Sequence, residues 1–188
     1  MDSQVEAPHA SPRDHLVLFY QHDGELTDQA GEYLLAALHG GGAAIVAGTW
    51  EHRLALARYL VRAGADLAAA RSAGTYSELD ASDTVDAFVA DAHADPARFW
   101  TAITPVIRRA AQAGRPVRVF GEMVAVLWDD GLVGAAIEVE AMWNELSAQF
   151  PFSLLCAYPV ASVSGAWQSD QLTEVCRAHS AVTGAAPL

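Results

Sequence analysis

The sequence predicts an α/β domain, a three-layer sandwich with a mainly parallel central sheet. Three observations predict it. Short apolar runs of strand length alternate along the chain with segments of helical periodicity, which implies parallel pairing through right-handed crossovers. The runs have the β-branched and aromatic composition of buried strands. The 188 residues are 52% hydrophobic, with mean hydropathy +0.16, enough to form the core of one such domain.

Residues 1–13 hold two prolines and little apolar content, so they are expected to be a disordered lead-in to a domain spanning residues 14–182, with 183–188 as a tail. His15-Leu-Val-Leu-Phe-Tyr20 reads as the first strand and Gln21 to Gly24 as its turn. From Glu25 to Leu38, Ala30, Tyr33, Leu34, Ala37 and Leu38 recur at helical spacing until Gly40-Gly41-Gly42 stops the helix. Ala43–Ala47 is a strand, Gly48-Thr49 a turn, and Trp50–Arg62 a helix closed by Gly64.

Ala73–Ala81 alternates weakly and reads as an edge strand; Ser82 or Asp83 is the expected cap of a helix carrying Val85, Phe88 and Val89. Asp95-Pro96 starts a helix with apolar face Phe99, Ile103, Val106 and Ile107, ended by Gly114. Pro116–Gly121 is a strand, Leu132–Ala148 a long helix, Phe152–Ala157 a strand, and Ser169–His179 the last helix.

Charge and composition exclude several functions. The net charge of −12 argues against direct nucleic-acid binding, because phosphate backbones are bound by clustered cations. All 11 basic residues are arginine, so the ammonium of a phosphate-binding loop and a Schiff-base lysine are both missing. Cys156 and Cys176 are too few for a disulfide framework and do not form CxxC, so free thiols in a reducing compartment are expected. With no leader-like N-terminus and no apolar stretch of membrane-spanning length, the expected location is the cytoplasm.

The turn after Ala47 reads Gly48-Thr-Trp-Glu-His-Arg53 and lacks GxxxxGK[ST]. The free N–H groups of that helix end would suit a small anion, which Glu51 would oppose; a plain strand-to-helix turn is the simpler reading. Glu122 follows a predicted central strand, where α/β folds gather functional groups, and would bind a ligand, take a proton or cap a helix. Glu140, Trp143 and Asn144 share a helix face, as a pocket lining or as core with an acid at its rim. Cys156 ends a buried strand, where a thiol is usually a small core hydrophobe. His15, His22, Cys156, Cys176 and His179 are metal-ligand types without metal-ligand spacing, so no metal and no cofactor are expected. No GxSxG elbow and no second acid-base group can be placed, so the chain is expected not to be an enzyme.

Four segments in order, His15-Leu-Val-Leu-Phe-Tyr20, Arg118-Val-Phe-Gly-Glu-Met123 with Leu127-Trp128, Glu140-xx-Trp143-Asn144 and Leu155-Cys-Ala-Tyr-Pro159, together with the ending Val175-Cys-Arg-Ala-His179, resemble the MEDS family, the methanogen and methylotroph sensory domain. The resemblance runs from His15 to about Val182. It implies a RecA/KaiC-like fold with a degenerate phosphate loop and a sensory role toward a small carbon compound or hydrocarbon derivative. It also implies relay to a histidine kinase, an anti-sigma factor or another signalling partner. Carried over, it favours His15, Tyr20, Glu122, Cys156 and Tyr158 as site residues.

The expectation drawn from all of this is a small-molecule sensor with a pocket at the strand ends lined by Tyr20, Trp50, Glu122 and Tyr158. Its signal passes to a separate protein, with no membrane contact and a homodimer allowed. Two alternatives stand beside it. One is a ligand-free docking module using the acidic surface. The other is a metal- or redox-linked regulator built on Cys156 and the histidines.

Overall fold

The computed structural model describes residues 11–166 and 170–184. The lead-in up to residue 10, Ser169 as a helix start and the tail from residue 185 therefore lie outside the described residues. Chain order is β1 (His15–Tyr20), α1 (Asp23–His39), β2 (Ala43–Gly48), α2 (Trp50–Arg62), α3 (Leu67–Ala73), β3 (Tyr76–Asp80), α4 (Ala81–Phe88), β4 (Val89–Ala90), β5 (His93–Ala94), α5 (Pro96–Ala110), β6 (Val117–Gly121), α6 (Met123–Asp129), α7 (Val133–Gln149), β7 (Phe152–Pro159), α8 (Val160–Val163), α9 (Asp170–Ala178) and β8 (Ala181–Gly184).

Among the described residues six strands form one sheet in the order β3-β2-β6-β7-β1-β8, and every neighbouring pair is parallel. The α/β sandwich is therefore the fold. The interior strands β1 and β2 are buried along their whole length because helices cover both faces, whereas the edges β3 and β8 are largely half-exposed or exposed. On one face Leu16, Leu18 and Tyr20 pack with Leu26, Tyr33 and Leu34 of α1, Leu56 and Leu60 of α2, and Leu67 of α3. On the other, Val17, Phe19, Leu154 and Cys156 pack under α4, α5, α6, α7 and α9. Alternate residues of one strand thus face different layers, which decides below which site residues meet.

Side chains define the helix starts. Thr49 accepts from the His52 backbone N–H, Asp66 from Ala69, and Asp95 from Arg98 ahead of Pro96. The cap of α4 is Asp80, which accepts from both Ser82 and Asp83; neither of those two caps it, because Asp80 already holds extended backbone at the strand end. Val89 falls outside α4 and begins the short antiparallel β4–β5 ribbon. The core under α5 and α7 is aromatic: Trp143 meets Phe99 edge-on at 5.3 Å and Phe152 at 5.9 Å, and Phe99 meets Phe88 at 5.3 Å.

Candidate functional site

Because the sheet is parallel, the ends of β1, β2 and β6 open on one edge, the place where α/β folds collect ligands. Glu122 follows β6 there and is only 2% exposed. Its backbone N–H donates to Ala47 O, which fixes it beside the end of β2. Its Oε2 accepts from the Thr49 backbone N–H at 3.0 Å, and its Oε1 pairs with His52 Nδ1 at 2.5 Å. A Cβ on Gly48 would stand 2.9 Å from Oε2, so glycine is what lets the carboxylate approach. The mouth of α2 therefore faces a carboxylate of the same chain: the N-cap Thr49 donates its N–H to Glu122, while the His52 N–H is taken by the Thr49 hydroxyl.

His52 carries the pair outward. Its Nε2 lies 3.5 Å from Asp23 Oδ1 at the exposed start of α1, and the Tyr20 ring meets it edge-on at 6.1 Å. The hydrogen bond to Glu122, joined by the charges of Glu122 and Asp23, holds the His52 ring above its ordinary value in spite of burial. Burial, with Glu122, Asp23 and Asp129 nearby, pushes the Tyr20 hydroxyl up, so it remains a neutral donor. Trp50 stands at the rim: it is 63% exposed, with the Arg53 guanidinium over its ring.

The other expected residues lie elsewhere. Tyr158 is in register with Phe19 and shares its face, whereas Tyr20 points into the α1–α3 layer, so Tyr158 is separated by the sheet from Tyr20. Tyr158 joins His15 and Cys156 in a second, fully enclosed cluster under α7 and α9. Glu140, 1% exposed, is its centre. Tyr158 donates its hydroxyl to Glu140 Oε1 at 2.8 Å; His15 Nε2 lies 3.2 Å from Glu140 Oε2 and 3.3 Å from Cys156 Sγ; Cys156 Sγ lies 3.5 Å from Glu140 Oε2; and His179 Nε2 lies 3.5 Å from Glu140 Oε1. The outer nitrogens are tied as well: His15 Nδ1 to Asn144 Oδ1 at 3.0 Å, and His179 Nδ1 to the Val175 carbonyl at 2.7 Å.

Burial works against the Glu140 charge, but the His179 and His15 rings and the Tyr158 hydroxyl outweigh it and hold the carboxyl down to about 2. The same burial and the Glu140 charge push the Cys156 thiol and the Tyr158 hydroxyl well up, and burial lowers His179. A buried, protonated thiol is a poor redox sensor, which counts against the redox form of the regulator reading.

The six expected residues thus divide into Tyr20, Trp50 and Glu122 at the strand ends and His15, Cys156 and Tyr158 under α7. Sequence reasoning missed His52. Its signal was the Thr49 cap, which places the residue three positions on over the helix mouth. Of the metal-ligand types, the fold brings His15, Cys156 and His179 together and adds Glu140, while His22 is left exposed at the start of α1 and Cys176 half-buried on α9.

A family model described as "MEthanogen/methylotroph, DcmR Sensory domain" matches residues 14–180. No curated protein matches the chain. Among solved structures, the Aeropyrum pernix ORC1 protein in complex with DNA is similar at 14% identity and a TM-score of 0.37. The match covers 99% of this chain and 48% of that one, so the chain spans about half its length.

Proposed function

Since the chain belongs to the MEDS family of sensory domains, we propose that it senses a small polar molecule, such as a derivative of a simple carbon compound, at the edge where β1, β2 and β6 end. The observation that carries this reading is the buried Glu122 carboxylate held between the Thr49 N–H and a His52 ring that reaches the exposed Asp23. Such a pair offers an acceptor and a donor to a ligand arriving from solvent, with the neutral Tyr20 hydroxyl beside it. A ligand that exchanges hydrogen bonds with the pair would shift the position of His52 and hence of α2.

α2 also supports relay to a separate protein. Its outer face carries Trp50, Leu54 and Val61 exposed, and together with Ala57 they lie at the 4-3-4 spacing of a single helical stripe. Exposed apolar stripes on one helix suit a helix-in-groove contact with a signalling partner. The same element therefore touches the proposed ligand at its first turn and a partner along its length.

Glu122→Gln tests the ligand site. Calorimetric titration with small alcohols, amines and carboxylates is expected to identify a ligand of the wild-type protein whose affinity falls at least about tenfold in the variant, the loss of one charge-assisted hydrogen bond. Unchanged affinity in a variant with unchanged circular dichroism would remove Glu122 from the site.

A further inference from the structure

We propose that His15, Glu140, Cys156 and His179 form a closed metal site for one tetrahedral divalent transition ion, zinc by the chemistry of its ligands. One ligand atom from each of the four lies within 4.8 Å of all the others. Around a tetrahedral centre with metal–nitrogen or metal–oxygen bonds of about 2.0 Å and metal–sulfur bonds of about 2.3 Å, neighbouring ligand atoms stand about 3.3–3.5 Å apart. Glu140 Oε2, His15 Nε2 and Cys156 Sγ stand 3.2, 3.3 and 3.5 Å from one another, and His179 Nε2, 3.5 Å from the other carboxylate oxygen Oε1, completes the set within the 4.8 Å bound.

A purely hydrogen-bonded network accounts for the cluster less well. Asn144 Nδ2 donates to the Ala178 carbonyl at 3.0 Å, which turns Asn144 Oδ1 toward His15 as an acceptor. His15 must then donate from Nδ1, and His179 must donate from Nδ1 to the Val175 carbonyl. In neutral rings both Nε2 atoms therefore present lone pairs, that of His15 toward Glu140 Oε2 and the Cys156 sulfur and that of His179 toward Glu140 Oε1. Among the four converging groups the thiol is then the one donor, and its single hydrogen serves either His15 Nε2 at 3.3 Å or Glu140 Oε2 at 3.5 Å, not both. His179 Nε2, on a side chain with no exposure, makes no hydrogen bond at all. A cation at the common point satisfies every one of these atoms. The two outer hydrogen bonds are then the orienting contacts that metal-bound imidazoles require.

The hard oxygen cations are disfavoured, because a thiolate and two imidazoles select zinc-like ions over magnesium or calcium. Cys156 gives its proton to solvent as the metal–sulfur bond forms, and Tyr158 keeps its hydrogen bond to Glu140 Oε1. With no ligand position open to solvent, the ion fastens β1, α7, β7 and the segment after α9 to one point. This site is separate from the Glu122 edge and does not depend on the reading given there.

The test is a titration of the full chain, stripped by chelation, with Co2+ and then Zn2+. One equivalent of Co2+ is expected to bind, with the intense visible bands of tetrahedral coordination and a thiolate-to-cobalt charge-transfer band, all erased by Zn2+. Cys156→Ser is expected to lose the charge-transfer band and Cys176→Ser to keep it. Asn144→Leu, which removes the group orienting His15, is expected to weaken zinc about 10- to 100-fold. Binding without a thiolate band, or a band that follows Cys176, overturns the proposal. If the variants do not fold, elemental analysis of wild-type protein from zinc-supplemented growth decides: one zinc per chain is expected, and a content far below one overturns it.

Discussion

His52 shows how one residue type gains a role from its surroundings. Its ring is bound on one side by the buried Glu122 and on the other by the exposed Asp23, and this raises its proton affinity above the ordinary value of 6.5. A raised histidine contributes stability that is fully present below its unfolded value and is lost as the pH rises through the folded one. The stability difference between wild type and His52→Gln, measured by urea unfolding, is therefore expected to be largest on the acid side of 6.5 and to shrink above it. A difference that does not change with pH would show that the pair is not charged. Nothing in the order of residues announced this pair, because His52 and Glu122 lie far apart in the chain and meet only when β2 and β6 pair. Glu122 itself was legible from its place after a predicted central strand. Glu140 was legible only as a residue sharing a helix face with Trp143 and Asn144; that it is buried at the centre of a cluster depends on β1, β7 and the segment after α9 all being in place.

Among the elements, those with a clear period or a clear stop were readable and those without were not. β1 and α2 lie at the residues expected, and Asp95-Pro96 starts α5 as its sequence signals. α6 was missed because Met123-Val-Ala-Val-Leu-Trp-Asp129 is apolar almost throughout; packed among the other elements of its layer, it has no solvent face to break the run into a helical period. α3, Leu-Ala-Ala-Ala-Arg-Ser-Ala, has too few large apolar residues to show a stripe, and β8 is an edge strand of four residues with little burial. The α5–α7 layer depends instead on aromatic packing. Trp143→Ala is expected to cost about 3–5 kcal/mol, since it empties the space between Phe99 and Phe152 and the strand below cannot collapse into it. Chemical denaturation measures this directly; a cost below about 1 kcal/mol would mean that the layer repacks.

For the whole molecule, the formal net charge of −12 acts as a uniform self-repulsion on the compact state. Raising the salt concentration from a few millimolar to about 0.15 M, where the screening length falls to about 8 Å, is expected to raise the Tm by calorimetry. A fall in Tm would mean that local ion pairs such as Arg53–Asp80 outweigh the repulsion. The strand order has a consequence of another kind. β1 lies between β7 and β8, the last two strands of the described chain to be made. On a ribosome adding about 5–20 residues per second, the run HLVLFY emerges on the order of ten seconds before either of its edges can be covered. Until then it is an apolar strand with two open sides, able to pair with the same strand of a neighbouring nascent chain. The yield of this protein in a cell is thus expected to depend on what shelters β1 while the middle of the chain is still being translated.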